Sequence, residues 1–156
     1  MKTLIIALLS ITIIGEVVAQ QFNYSQMQNY NCTIYVINSV GGNYAPYTMD
    51  RLASLRADVH AAVANNDPFA AINFLNQIIQ LDPLDISAFE FLGYSYTVVG
   101  NQASAAGVDI DIVARFEFVP SAGRFVMDAM NRLQAWDPYN WRNEVMRRRM
   151  QLGLAI

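Results

Sequence analysis

The sequence predicts an all-α fold for residues 48–156, built as three stacked antiparallel helical hairpins. Prolines and glycines divide this region into segments of helical length with short turns between them. Within the segments apolar residues recur at helical spacing, as do Leu52, Leu55, Val59 and Ala62. Hydrophobic residues make up 54% of the chain and charged residues 15%. A domain of this size and composition can bury a stable core without cross-links.

Residues 1–19 have the pattern of a signal peptide. Lys2 precedes an apolar run from residue 4 to residue 14, and Ala19 provides a small residue at the cleavage position. Glu16 interrupts the run before it reaches the roughly 20 residues of a membrane span. We therefore expect a secreted protein without stable membrane insertion, which would be extracellular, or periplasmic in a Gram-negative source.

Residues 20–47 form an irregular arm rich in Gln, Asn and Tyr. The arm contains two glycosylation sequons, at Asn23 and Asn31, which would carry glycans in a eukaryotic source. Cys32 is the only cysteine, so it cannot form a disulfide within the chain. It is either an unpaired thiol or one half of an intermolecular disulfide in a homodimer.

Proline, glycine and capping side chains mark the helix boundaries beyond the arm. An aspartate before a proline supplies an N-cap and a residue suited to the first helical position. The boundary residues are Asp67-Pro68, Asp82-Pro83, Asp85, Gly100-Asn101, Pro120 and Asp137-Pro138. The predicted helices span 49–66, 68–81, 85–99, 101–118, 121–136 and 138–152.

One segment, residues 108–119, carries a mixed signal. Apolar and polar residues alternate there with period two, which is typical of a strand. Residues 103–106 immediately before it are rich in alanine and favour a helix. A helix is the main prediction, and the alternative is an α+β fold with a small sheet formed by residues 33–37 and 108–119.

The middle of the chain resembles a tetratricopeptide repeat over residues 71–105. Phe89, Leu92, Gly93 and Tyr96 follow the family spacing W-x2-L-G-x2-Y, with phenylalanine in place of tryptophan. Further matches are Gly100 at the turn, the small residues Ala71 and Ala105, and Pro83. The resemblance implies stacked helix–turn–helix units.

The resemblance also implies a peptide-binding groove along the first helix of each unit. The family's groove positions, carried over one by one, fall on polar and aromatic residues of three helices. They include Arg56, His60, Glu90, Tyr94, Arg124 and Asp128. Tyr94 would then be an exposed anchor, while Phe89 and Leu92 would face the core.

The residues give little support for catalysis or cofactor binding. Asp109 and Asp111 are two residues apart on a predicted helix, so their carboxylates point in different directions and form no metal pair. No His/Cys metal spacing or phosphate-binding loop occurs. We expect a non-enzyme without metal or cofactor, and the pI of about 4.9 argues against nucleic acid.

Two functions fit this pattern. The first is an exported interaction module that binds a protein or peptide through a helical groove, with the basic run Arg147-Arg148-Arg149 either complementing a helix dipole or docking an acidic partner. The second is a carrier of a small apolar ligand. Its cavity would be lined by Phe74, Phe91, Met127 and Met130.

Overall fold

The computed structural model describes residues 46–155 and is all-helical, as predicted. The elements in chain order are α1 (Pro46–Ala64), α2 (Pro68–Leu81), α3 (Ile86–Val98), α4 (Gln102–Phe116), a 3-10 turn (Pro120–Ala122), α5 (Gly123–Trp136) and α6 (Trp141–Gln151). Because α4 extends to Phe116, the alternative of a strand over 108–119 is wrong. The described residues do not include the predicted signal peptide, residues 33–37, Asn23, Asn31 or Cys32.

Three of the predicted caps form as hydrogen bonds. Carboxylate Oδ1 of Asp67 accepts from the backbone N of Ala70 at 2.9 Å, and Oδ1 of Asp85 accepts from that of Ala88 at 3.0 Å. Amide Oδ1 of Asn101 accepts from the backbone N of Ser104 at 3.1 Å. Each bond satisfies a backbone donor that the first helical turn leaves without a partner.

The last helix begins later than the sequence predicts, at Trp141 instead of residue 138. Asp137 does accept backbone hydrogen bonds, from Tyr139 at 3.3 Å and from Asn140 at 3.1 Å. Those bonds close a turn before the helix. The Asp-Pro signal therefore marks the end of one helix and a turn, and not the first residue of the next helix.

Helix α3 occupies the centre of the fold. It packs against α2 and α4, and α4 in turn packs against both α5 and α6. Every residue of α3 from Ala88 to Ser95 is buried. A helix that is apolar on all faces is expected inside a fold, and this burial places polar groups of α3 in the core as well.

None of the helices in the described part of the chain combines the length and apolar character needed to cross a bilayer.

Candidate functional site

The structure divides the predicted groove residues between core and surface. On α1, His60 is exposed, while Arg56 is half-buried and its Nη2 donates to Oδ2 of Asp85. On α5, Arg124 is exposed and Asp128 is half-buried. Arg56 therefore links α1 to the capping residue of α3, which is a structural role within the chain.

The prediction that Tyr94 and Glu90 line an open groove is wrong. Both residues are 0% exposed. The Tyr94 ring stacks on Phe91, with 6.0 Å between ring centroids, and Glu90 faces Arg132 of α5. Helix α5 therefore contributes to covering the face of α3 that the repeat pattern assigns to ligand, so the six residues do not form one accessible channel.

Glu90, Asp109 and Arg132 instead form a buried ionic cluster that joins α3, α4 and α5. Guanidinium Nε of Arg132 donates to Oδ1 and Oδ2 of Asp109 at 3.0 Å each, and Nη2 donates to Oδ1 at 2.6 Å. The same Nη2 donates to Oε1 of Glu90 at 2.9 Å. Oε2 of Glu90 is buried and has no hydrogen-bond partner among the described residues.

Burial dominates the protonation of this cluster. It raises the pKa of Glu90 from 4.5 to about 8, against the opposing charge of Arg132. Burial also raises the pKa of Asp109. Burial alone would lower the pKa of Arg132, but the hydrogen bonds and charge of Asp109 outweigh it and raise that pKa. Burial therefore favours the protonated form at both carboxyl groups, and Glu90, with a pKa of about 8, holds its proton at neutral pH.

Stability should therefore fall as pH rises from about 4.5 to about 8, and Glu90→Gln should weaken this dependence. The folded protein keeps the Glu90 proton up to about pH 8, whereas the unfolded chain releases it near pH 4.5. The resulting stabilisation is complete below pH 4.5 and is lost as pH rises through 8, a change of a few kcal/mol. Urea unfolding at pH 5, 6.5 and 8.5 measures it.

Glu144→Gln is the control, because Glu144 lies at the surface and is not in the cluster. It should show the wild-type pH dependence. If the free energy of unfolding changes with pH equally in Glu90→Gln and in wild type, Glu90 titrates normally in the folded protein.

A cleft of about 500 Å³ lies between α2, α3, α4 and α6 and is called here the α2–α6 cleft. Apolar side chains that line it include Ile79, Phe89, Leu92 and Val108. Polar groups that line it are Asn76, Tyr96, Ser104, Asp111, Glu144, Arg147, Arg148 and Gln151. On α3 it lies on the side of Phe89 and Tyr96, roughly opposite the face of Glu90 and Tyr94.

The charged groups of the α2–α6 cleft pair with one another. Nε of Arg148 donates to Oδ1 of Asp111 at 2.5 Å, and Nη2 to Oδ2 at 3.2 Å. Nη1 of Arg147 donates to both carboxylate oxygens of Glu144, at 3.0 and 2.8 Å. Asp109 and Asp111 accordingly point to different helices, as predicted, with Asp109 toward α5 and Asp111 toward α6.

Arg149, the third residue of the basic run, is buried. Its guanidinium donates to the carbonyls of Ala114 and Ala155 and to Glu117, and it lies over the ring of Phe118. All three arginines therefore have partners within the chain. Arg149 is held inside the fold, whereas the side chain of Arg147 is 60% exposed.

The residues of the carrier hypothesis do not share one cavity. Phe91 is packed in the core at 2% exposure, whereas Met127 is 65% exposed. Phe74 and Met130 are partly buried and pack against the core. Within residues 46–155, no group of three or more His, Cys, Asp or Glu side chains is placed to hold a metal ion.

Gly107, for which the sequence pattern predicts no role, lines the α2–α6 cleft from the interior of α4. A Cβ atom built on Gly107 meets no atom within 4 Å. The sequence does carry one signal for this position. Glycine inside a predicted helix lowers stability, so its presence there indicates a further reason for the residue.

No family model, curated protein or solved structure matches this chain.

Proposed function

We propose that this protein is an exported, non-enzymatic interaction module that binds a peptide, or a segment of another protein, in the α2–α6 cleft. The observation that carries the proposal is the cleft itself, an open concavity of about 500 Å³ bounded by four helices. Its volume falls within the range of ligand-binding pockets in proteins.

The lining of the cleft favours a peptide ligand. Ile79 and Ile110, which are partly exposed, offer apolar surface for side chains. The amide and hydroxyl groups of Asn76, Tyr96, Ser104 and Gln151 offer donors and acceptors for main-chain groups. Peptide grooves combine these two kinds of surface.

Export and the remaining features belong to the same proposal. The signal peptide directs the chain out of the cell, and glycans on Asn23 and Asn31 would lie on the arm that precedes the helical domain. Cys32 would allow a covalent homodimer. The partner is a protein and not a nucleic acid, consistent with the net charge of −3.

Panning a random phage-displayed dodecapeptide library on the mature protein tests the proposal. We expect peptides whose affinity is reduced at least tenfold by Gly107→Gln, because the longer side chain would fill the cleft where space is open. Isothermal titration with the synthetic peptides measures the affinity.

The matched control is Gly123→Gln at the start of α5, where a Cβ likewise meets no atom within 4 Å and which does not line the cleft. It should bind like wild type. Selected peptides that bind Gly107→Gln as tightly as wild type would contradict the proposal, and so would a selection without binders.

A further inference from the structure

The arginines of the α2–α6 cleft have hydrogen-bond donors that their ion pairs do not use. Arg147, whose side chain is 60% exposed, donates to Glu144 through Nη1, and its Nε and Nη2 have no acceptor among the described residues. Arg148 is 36% exposed and reaches Asp111 through Nε and Nη2, while its Nη1 makes a long bond of 3.4 Å to Gln151. Both guanidinium groups can therefore donate to a further anionic group.

Asp111 does not depend on Arg148 alone for a counter-charge. Nε of Arg115 lies 3.8 Å from Oδ1 of Asp111. This Nε is buried and has no hydrogen-bond partner among the described residues. If Arg148 turned towards a ligand, Asp111 would keep the guanidinium of Arg115, so the exchange would leave no partly buried carboxylate without a cation.

The charge balance of the cleft favours an anion. Its ion pairs bring together three guanidinium groups, of Arg115, Arg147 and Arg148, and two carboxylates, of Asp111 and Glu144. These groups carry one positive charge in excess, although the net charge of the chain is −3. An acidic ligand is therefore attracted to the cleft and repelled by the net negative charge of the remaining chain.

We infer that the cleft binds an acidic segment of a partner protein, whose aspartate or glutamate side chains accept hydrogen bonds from Arg147 and Arg148. This inference rests on the proposed function and specifies its ligand. A planar guanidinium group suits a carboxylate because two of its donors match the two carboxylate oxygens. Ile79 and Ile110, partly exposed on the same lining, would contact apolar side chains beside the acidic ones.

The test measures affinity for the tightest dodecapeptide from the library selection, synthesised with an amidated C-terminus so that only its side chains carry carboxylates. Arg147→Gln and Arg148→Gln should each lower affinity about tenfold, the loss expected for one hydrogen bond to a charged group. Glu144→Gln should raise affinity about threefold, because it removes a carboxylate that competes for Arg147. A rise in affinity distinguishes a competing charge from damage to the fold.

The matched control is Arg142→Gln, which removes the same charge from an exposed position of the same helix outside the cleft lining. It should keep wild-type affinity. An equal loss in Arg142→Gln and in the cleft variants would overturn the inference, because it would show a long-range effect of charge and no contact with the ligand.

The peptides themselves give the second measurement. The selected sequences should be enriched in Asp and Glu, and replacing these residues by Asn and Gln should lower affinity about tenfold or more. Selected peptides without acidic residues, or wild-type affinity in both arginine variants, would overturn the inference while a loss in Gly107→Gln still supported the proposed function. A selection without binders would contradict both. Concentration-dependent dimers abolished by Arg147→Gln would overturn the inference in favour of a second copy as occupant.

Discussion

Replacing Arg132 by alanine should lower the free energy of unfolding by about 3–5 kcal/mol. Arg132 donates hydrogen bonds to two buried carboxyl groups, those of Glu90 and Asp109, which are 0% and 3% exposed. Without the guanidinium, Asp109 would remain buried with an uncompensated charge or would take up a proton. Urea denaturation at pH 7 measures the loss.

The matched control is Arg124→Ala, on the same helix but exposed. It should change stability little. A second variant, Arg132→Met combined with Asp109→Asn and Glu90→Gln, removes all three ionisable groups and should recover part of the loss. If Arg132→Ala unfolds like wild type, the cluster is not a buried ionic site.

Tyr94→Ala should cost about 3–5 kcal/mol of stability, as truncation of a buried aromatic side chain does. Tyr94 is 0% exposed and stacks on Phe91, so its removal leaves a cavity at the centre of the fold. Phe89→Ala should cost a similar amount, since Phe89 is 2% exposed and packs edge-on against Phe116. Thermal melts with urea denaturation measure both.

Tyr139→Ala is the control for these variants, because Tyr139 is 94% exposed. The repeat pattern predicts that Tyr94→Ala affects partner binding and spares stability. A stable Tyr94→Ala variant that loses peptide affinity would restore that hypothesis and contradict the burial of Tyr94.

Local chemistry made the helices predictable from the sequence. The side chains of Asp67, Asp85 and Asn101 accept hydrogen bonds from backbone N–H groups three residues later. The signal for each helix start therefore lies within a few positions of the sequence. Asp137 shows the limit of this rule. Its side chain satisfies the donors of a turn just as well as those of a helix, and the sequence does not distinguish the two.

The candidate site was less predictable because it depends on which helix covers which face. Helix α3 is apolar around its whole circumference, so its pattern does not indicate an exposed side. The partner of Glu90 lies 42 positions away, at Arg132, and the partner of Asp111 lies 37 positions away, at Arg148. Such pairings arise from tertiary packing and leave no local signal.

The order in which the helices pack has a consequence for how quickly the domain folds. Helix α1 contacts α2, α2 contacts α3, α3 contacts α4 and α4 contacts α5, so most native contacts join neighbours along the chain. Among the extensively packed helix pairs of the described residues, the pair of α4 and α6 joins helices that are not consecutive. Short loops close at low entropic cost, and helical domains with such local topology fold in microseconds to milliseconds. Newly made chains would therefore spend little time with the apolar faces of these helices open to aggregation.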